Sequence, residues 1–136
     1  MTHLDRAKAL REDKEVHYNC FQATVLPFCE EYGLDADAAM RAGTFLNAGV
    51  RHGSVCGAVA GAMAVLGLAK ADNRRGLELL RRFREKNGTL TCAELLKAAA
   101  ERGEEKKPHC DRMVYDAVQM AEDLLRERDG ETGGEG

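Results

Sequence analysis

Four of the five cysteines, Cys20, Cys56, Cys92 and Cys110, stand where a helix is expected to begin. Cys20 follows Asn19, Cys56 lies two residues past Ser54, Cys92 follows Thr91, and Cys110 lies two residues past Pro108. Asn, Ser and Thr are preferred helix caps, and proline suits a first helical turn. That first turn has unpaired N–H groups and the positive end of the macrodipole. Both favour thiolate over thiol, and the thiolate is the nucleophile, the metal ligand and the redox-active form. Such a set can form a reversible disulfide, or its four sulfurs can hold zinc or an iron–sulfur cluster.

Cys29 breaks the pattern. It lies nine residues after Cys20, about 900° around an ideal helix and so on the opposite face. It also falls late in its helix, where the dipole disfavours an anion, and is read as a small buried hydrophobe. An odd number of cysteines excludes complete pairing within one chain. No C-x-x-C or C-x-x-C-H occurs, which argues against a thioredoxin-like loop, a zinc ribbon and covalently attached haem. Without a close pair, any four-sulfur site depends on the finished fold.

Three histidines lie near these thiols. His17 precedes Cys20 by three residues, His52 precedes Cys56 by four, and His109 adjoins Cys110. Imidazole can lower a thiol pKa, move protons or supply a ligand, although histidine is also an ordinary surface residue. His52 is favoured because it sits in the glycine-containing loop AGVRHGS. Arg51 in the same loop is either a solvated side chain or a holder of anions. His3 is expected to be an exposed N-terminal residue.

The elements that must position these groups read as helices. Period-two alternation is not sustained and aromatic residues are few, so strand signals are poor. Thr2 opens a first helix. Asn19 opens a second, which contains Pro27 and runs toward Glu31 with a kink. Asp35 caps a third through about Leu46. Ser54 caps a small-residue helix that reaches Ala69. Asn73 starts a helix with Leu77, Leu80 and Phe83 on one face and stops at Asn87-Gly88. Thr91-Cys92-Ala93-Glu94 has the form of a capping box. Beyond Pro108, Val114, Ala117, Ala121, Leu124 and Leu125 form an apolar stripe. These features predict an all-α bundle of six or seven short helices around a central helix over residues 54–69, with one domain over 1–128 and a disordered tail over 129–136. Gly57 and Gly61 share a face of the central helix. Glycine costs about 1 kcal/mol there relative to alanine, so close approach of another helix is expected, from this chain or from a second copy in a homodimer.

Composition narrows the function further. The chain has 136 residues, 44% hydrophobic and 32% charged, with net charge −3. Nothing in that balance points to nucleic acid or to an anionic membrane surface. The basic run from Arg74 to Lys86 is balanced by acids elsewhere and reads as a solvated face. The longest apolar run, Val55–Leu68, has 14 residues, short of the roughly 20 that span a membrane. The first 19 residues lack an apolar signal-peptide core. The chain is therefore read as cytoplasmic, where thiols are kept reduced. Signatures of serine hydrolases, P-loop enzymes and zinc proteases are absent.

The segment Cys56-Gly57-Ala58-Val59-Ala60-Gly61 fits CGAxxG. With Cys20 upstream in YNC, and Cys92 (in LTCAELL) and Cys110 downstream, it resembles the four-cysteine C_GCAxxG_C_C family of redox-active proteins. The likeness spans about Tyr18 to Leu125. It implies a small helical protein with a redox role, carried by Cys20, Cys56, Cys92 and Cys110, and it leaves Cys29 outside. It supplies no substrate and no electron partner. The expected function is thiol–disulfide or electron-transfer chemistry at the four cysteines. A four-cysteine metal or iron–sulfur protein and a non-catalytic interaction module stay open as alternatives.

Overall fold

Thr2 starts the first helix by a reciprocal cap: its hydroxyl accepts from the Asp5 amide at 3.0 Å, and its own amide donates to the Asp5 carboxylate at 3.1 Å. In the computed structural model, which describes residues 1–135 and side chains as far as Gly130, this helix is α1, His3–Glu12. It is followed by α2 (Cys20–Cys29), α3 (Ala36–Ala42), α4 (Gly57–Leu68), α5 (Asn73–Asn87), α6 (Cys92–Glu101) and α7 (Lys106–Glu135). The protein is an all-α bundle, as its periodicity predicts. The tail expected to be disordered, 129–136, lies within the last turns of α7 as far as Glu135, and Gly136 is outside the described residues.

The small-residue helix α4 packs against both α2 and α7, which also touch each other. Ala58, Val59, Ala62 and Val65 are fully buried on it. They meet Ala23 and Phe28 of α2 and Val114, Ala117, Val118 and Ala121 of α7 in one apolar core. Each fully buried valine or phenylalanine contributes roughly 1.5–3 kcal/mol relative to an exposed one. The long helix α7 is thus held by the apolar stripe read from its sequence.

Two helix ends and one helix face differ from expectation. Helix α2 ends at Cys29, whose carbonyl accepts from the Leu34 amide at 2.9 Å across a glycine turn. The chain turns back through Gly33 at φ +72°. Helix α3 ends at Ala42, before Leu46, because the Gly43 carbonyl accepts from Asn19 Nδ2 at 2.8 Å and from the Leu46 amide at 3.1 Å. On α5 the inner row is Arg75, Leu79 and Phe83, spaced four apart, while Leu77 is 59% exposed. The basic face of α5 is neutralised as expected: Arg82 reaches Glu78 and Glu127, and Lys86 reaches Asp116.

His3 is not a free terminal residue. Its ring stacks on Phe28 with centroids 4.0 Å apart, and its two nitrogens reach Glu122 at 2.7 Å and Glu31 at 2.8 Å. It joins α1, α2 and α7. None of the described helices is long and apolar enough to cross a membrane.

Candidate thiol site

Cys20 is the first residue of α2, and its position is fixed by a buried cap. Asn19 Oδ1 accepts from the Gln22 amide at 2.9 Å, and Gln22 Oε1 accepts from the Asn19 amide at 3.0 Å. Helix α4 lies close against this end of α2 through the two glycines of CGAxxG. A Cβ on Gly57 would stand 2.8 Å from the Leu46 carbonyl oxygen and 3.3 Å from Cys20 Cβ. A Cβ on Gly61 would stand 2.9 Å from Thr24 Cβ and 3.1 Å from the Phe21 carbonyl oxygen. The glycine seam therefore closes within the chain, between α4 and α2, and brings Cys56 to Cys20.

Cys56 is itself the N-cap of α4, not a residue inside its first turn. Ser54 closes the preceding loop instead of capping the helix, its amide donating to the Gly49 carbonyl at 3.0 Å, and Val55 pairs with Thr91 in a single antiparallel bridge. Two backbone hydrogen bonds make that bridge: Cys56 donates to the Leu90 carbonyl at 2.9 Å, and Cys92 donates to the Ser54 carbonyl at 2.7 Å. They tie the backbones of the second and third cysteines together. Thr91 is the N-cap residue of α6 but makes no side-chain capping bond, so the expected capping box with Glu94 does not form. Cys92 is still the first residue of its helix, α6. Helix α7 begins at Lys106, ahead of Pro108, so Cys110 lies at its fifth position, beyond the turn whose amides are unpaired.

The four thiols nevertheless share one place. Cys20, Cys56, Cys92 and Cys110 all line a single cavity of about 280 Å³, walled on its apolar side by Leu95, Leu96 and Met113. Cys29 is outside it, buried in α2 with its sulfur 3.5 Å from the Val25 carbonyl. Gly57 lines the cavity, and Gly61 acts one turn away through the seam.

Helix ends do not set the charge states as the sequence suggests. Burial opposes the helix dipole, and it wins at Cys56, which is 5% exposed and pushed up to about 11 against the amides of Ala58 and Val59. Burial also pushes Cys92 up. Interaction with Cys110, followed by burial, pushes the Cys20 thiol well above its ordinary range. The same interaction pulls Cys110 down to about 7, against burial, with help from the cations of Arg11 and Lys106. Cys110 is therefore the thiol of the set that its surroundings favour as an anion.

Arg11 was not legible as a site residue. It is 7% exposed and is fixed by Asp111 at 2.6 Å and by the Tyr18 carbonyl at 2.9 Å. No local pattern connects α1 with a residue 100 positions away. Lys106 and Lys107 also line the cavity. Of the histidines, His17 and His109 line it and His52 does not. His52 is exposed on the loop before α4 and is not among the residues that line the cavity. His109 is 2% exposed, and burial pushes its imidazole below the usual range.

The loop itself carries strain. Ala48, Val50 and Arg51 all have positive φ, at 51°, 59° and 56°, and Gly49 between them is at 64°. Left-handed backbone costs roughly 1–2 kcal/mol per non-glycine residue, and strain of this kind clusters at functional sites. Asn47 and Ala48 line the cavity. Replacing Val50, 53% exposed, by glycine is expected to raise stability by about 0.5–1 kcal/mol, relief of strain exceeding the added chain entropy. Urea unfolding of Val50→Gly measures this, and a clear loss of stability would contradict the left-handed turn.

Fold and site together define an all-α protein that gathers thiols from α2, the start of α4, α6 and α7 into one cavity. The family model described as "Putative redox-active protein (C_GCAxxG_C_C)" matches residues 18–124, which include all four. The chain belongs to that family. Comparison with curated proteins and with solved structures finds no match.

Proposed function

We propose that this protein carries out reversible thiol–disulfide chemistry, with Cys110 as the attacking thiolate and Cys20 as the thiol that pairs with it. The observation that carries this reading is that Cys20 and Cys110 line one cavity together with the cations of Arg11 and Lys106. A thiolate and a thiol gathered in one small cavity are placed to become a disulfide. The thiolate fraction at neutral pH also makes Cys110 the fastest nucleophile of the set. Pairwise chemistry is favoured over coordination of one ion. Among the described residues, no three cysteine, histidine or carboxylate groups are arranged to hold a metal.

In the oxidising direction the Cys110 thiolate and the Cys20 thiol lose two electrons and one proton and gain one S–S bond. The electrons go to a two-electron acceptor, and the proton passes to the leaving group or to solvent. Cys56 and Cys92, whose backbones are tied side by side, stand as a second pair in the same cavity. Five free thiols suit a reducing compartment such as the cytoplasm.

Thiol counting under denaturing conditions tests the reading. Mild oxidation of the native protein with diamide is expected to remove thiols in pairs within one chain, and dithiothreitol is expected to restore them. The five-thiol count persisting through oxidation, or crosslinking only between chains, would contradict it. Cys29→Ser is expected to leave the paired loss unchanged.

A further inference from the structure

We propose that the cavity selects a small anionic disulfide as substrate, because Arg11, Lys106, Lys107, His17 and His109 line it and no carboxylate does. This rests on the thiol–disulfide reading and names its substrate class. Asp111 stands behind the cavity and holds Arg11 at 2.6 Å and Lys107 at 3.1 Å. It offsets one of the three permanent cations, and the Cys110 thiolate offsets another. One positive charge is left over before either histidine is counted. Lys106 is exposed, has no carboxylate partner among the described residues, and acts on both Cys92 and Cys110. It is the cation best placed to meet an incoming anion.

Size and lining restrict the ligand further. A volume of about 280 Å³ lies just under the 300–1,000 Å³ of ordinary ligand pockets, so the cavity takes a small molecule. Leu95, Leu96 and Met113 offer an apolar wall to the methylenes beside a disulfide. The reaction balances as follows. The Cys110 thiolate attacks one substrate sulfur, the substrate S–S bond breaks, and the leaving thiolate takes the proton of Cys20. The Cys20 thiolate then attacks Cys110 in the mixed disulfide. A Cys20–Cys110 bond forms, and the second half of the substrate leaves as a thiolate that solvent protonates. One disulfide is reduced to two thiols, and two protein thiols become one disulfide.

The test uses three aliphatic disulfides of similar size: dithiodiglycolate, a dianion; bis(2-hydroxyethyl) disulfide, neutral; and cystamine, a dication. The rate of mixed-disulfide formation at Cys110 is followed by mass spectrometry at low ionic strength. Each rate is divided by that of 2-mercaptoethanol with the same disulfide, which removes leaving-group differences. The normalised rate is expected to fall from anion to neutral to cation, with an anion-to-cation ratio of about tenfold or more. At 1 M salt, where the Debye length is about 3 Å, the ratio is expected to collapse toward one. Lys106→Gln is expected to lower the ratio at low salt even if it also slows all three reactions. Equal normalised rates, or a faster dication, would overturn the charge selection and leave the thiol chemistry standing. Failure of all three to react at Cys110 would overturn both.

Discussion

Cys110→Ser is expected to lower the rate of alkylation of the native protein by neutral iodoacetamide at pH 7 about hundredfold. At a pKa of about 7, roughly half of Cys110 is thiolate. Cys56, at about 11, has a thiolate fraction on the order of 10⁻⁴. Its greater basicity returns part of that difference: a Brønsted slope of 0.4–0.5 over about four units restores nearly 10², leaving a net factor of about 10². Cys92 is also pushed up, and Cys20, though freed of Cys110 in the variant, is still raised by burial. The pH profile carries the same information with a sign. The wild-type rate rises as pH climbs through about 7 and then levels, because deprotonation of Cys110 is complete. The variant has no such step and continues to rise above pH 9. An unchanged rate in the variant would assign the reactive thiolate to another residue.

Gly61→Val is expected to be the most damaging single change to the scaffold, lowering stability by about 3 kcal/mol and the melting temperature by roughly 10 °C. The new Cβ would lie 3.1 Å from the Phe21 carbonyl oxygen, which belongs to backbone and cannot turn away, and 2.9 Å from Thr24 Cβ. Thr24 is fully buried, and its hydroxyl already donates to the Cys20 carbonyl at 2.7 Å. Helix α2 must therefore shift as a unit, and it takes Cys20 with it. Gly61→Ala separates the terms. It recovers up to about 1 kcal/mol of helix propensity, so its loss is expected to be clearly smaller. Thermal unfolding of the two variants checks the order, and a stable valine variant would show that the seam is not closely packed.

The cysteine set was legible because its local signals are covalent or nearly so: Asn19 before Cys20, the glycine spacing after Cys56, and Thr91 before Cys92. The central helix was legible for the same reason, since a run of small apolar residues can only be buried. What the sequence missed depends on tertiary contact. Cys56 stands as the N-cap in place of Ser54 where two segments 36 residues apart pair in one bridge. Leu77 and Leu79 exchange roles through a choice of register that periodicity on a charged helix does not fix. The charge state of the thiols was inferred from helix ends alone. Burial, the interaction between Cys20 and Cys110 and the distant cation of Arg11 decide it instead. His52 was favoured for its nearness along the chain, whereas His109 is the one buried at the cavity wall.

Peptide mapping of the disulfide formed under limiting oxidant tests the central claim most directly. The protein is oxidised in its native state, trapped at low pH, digested and read by mass spectrometry. The first crosslink to appear is expected to join the peptide of Cys20 to that of Cys110. A first crosslink that includes Cys29, or one formed only between separate chains, would contradict the account.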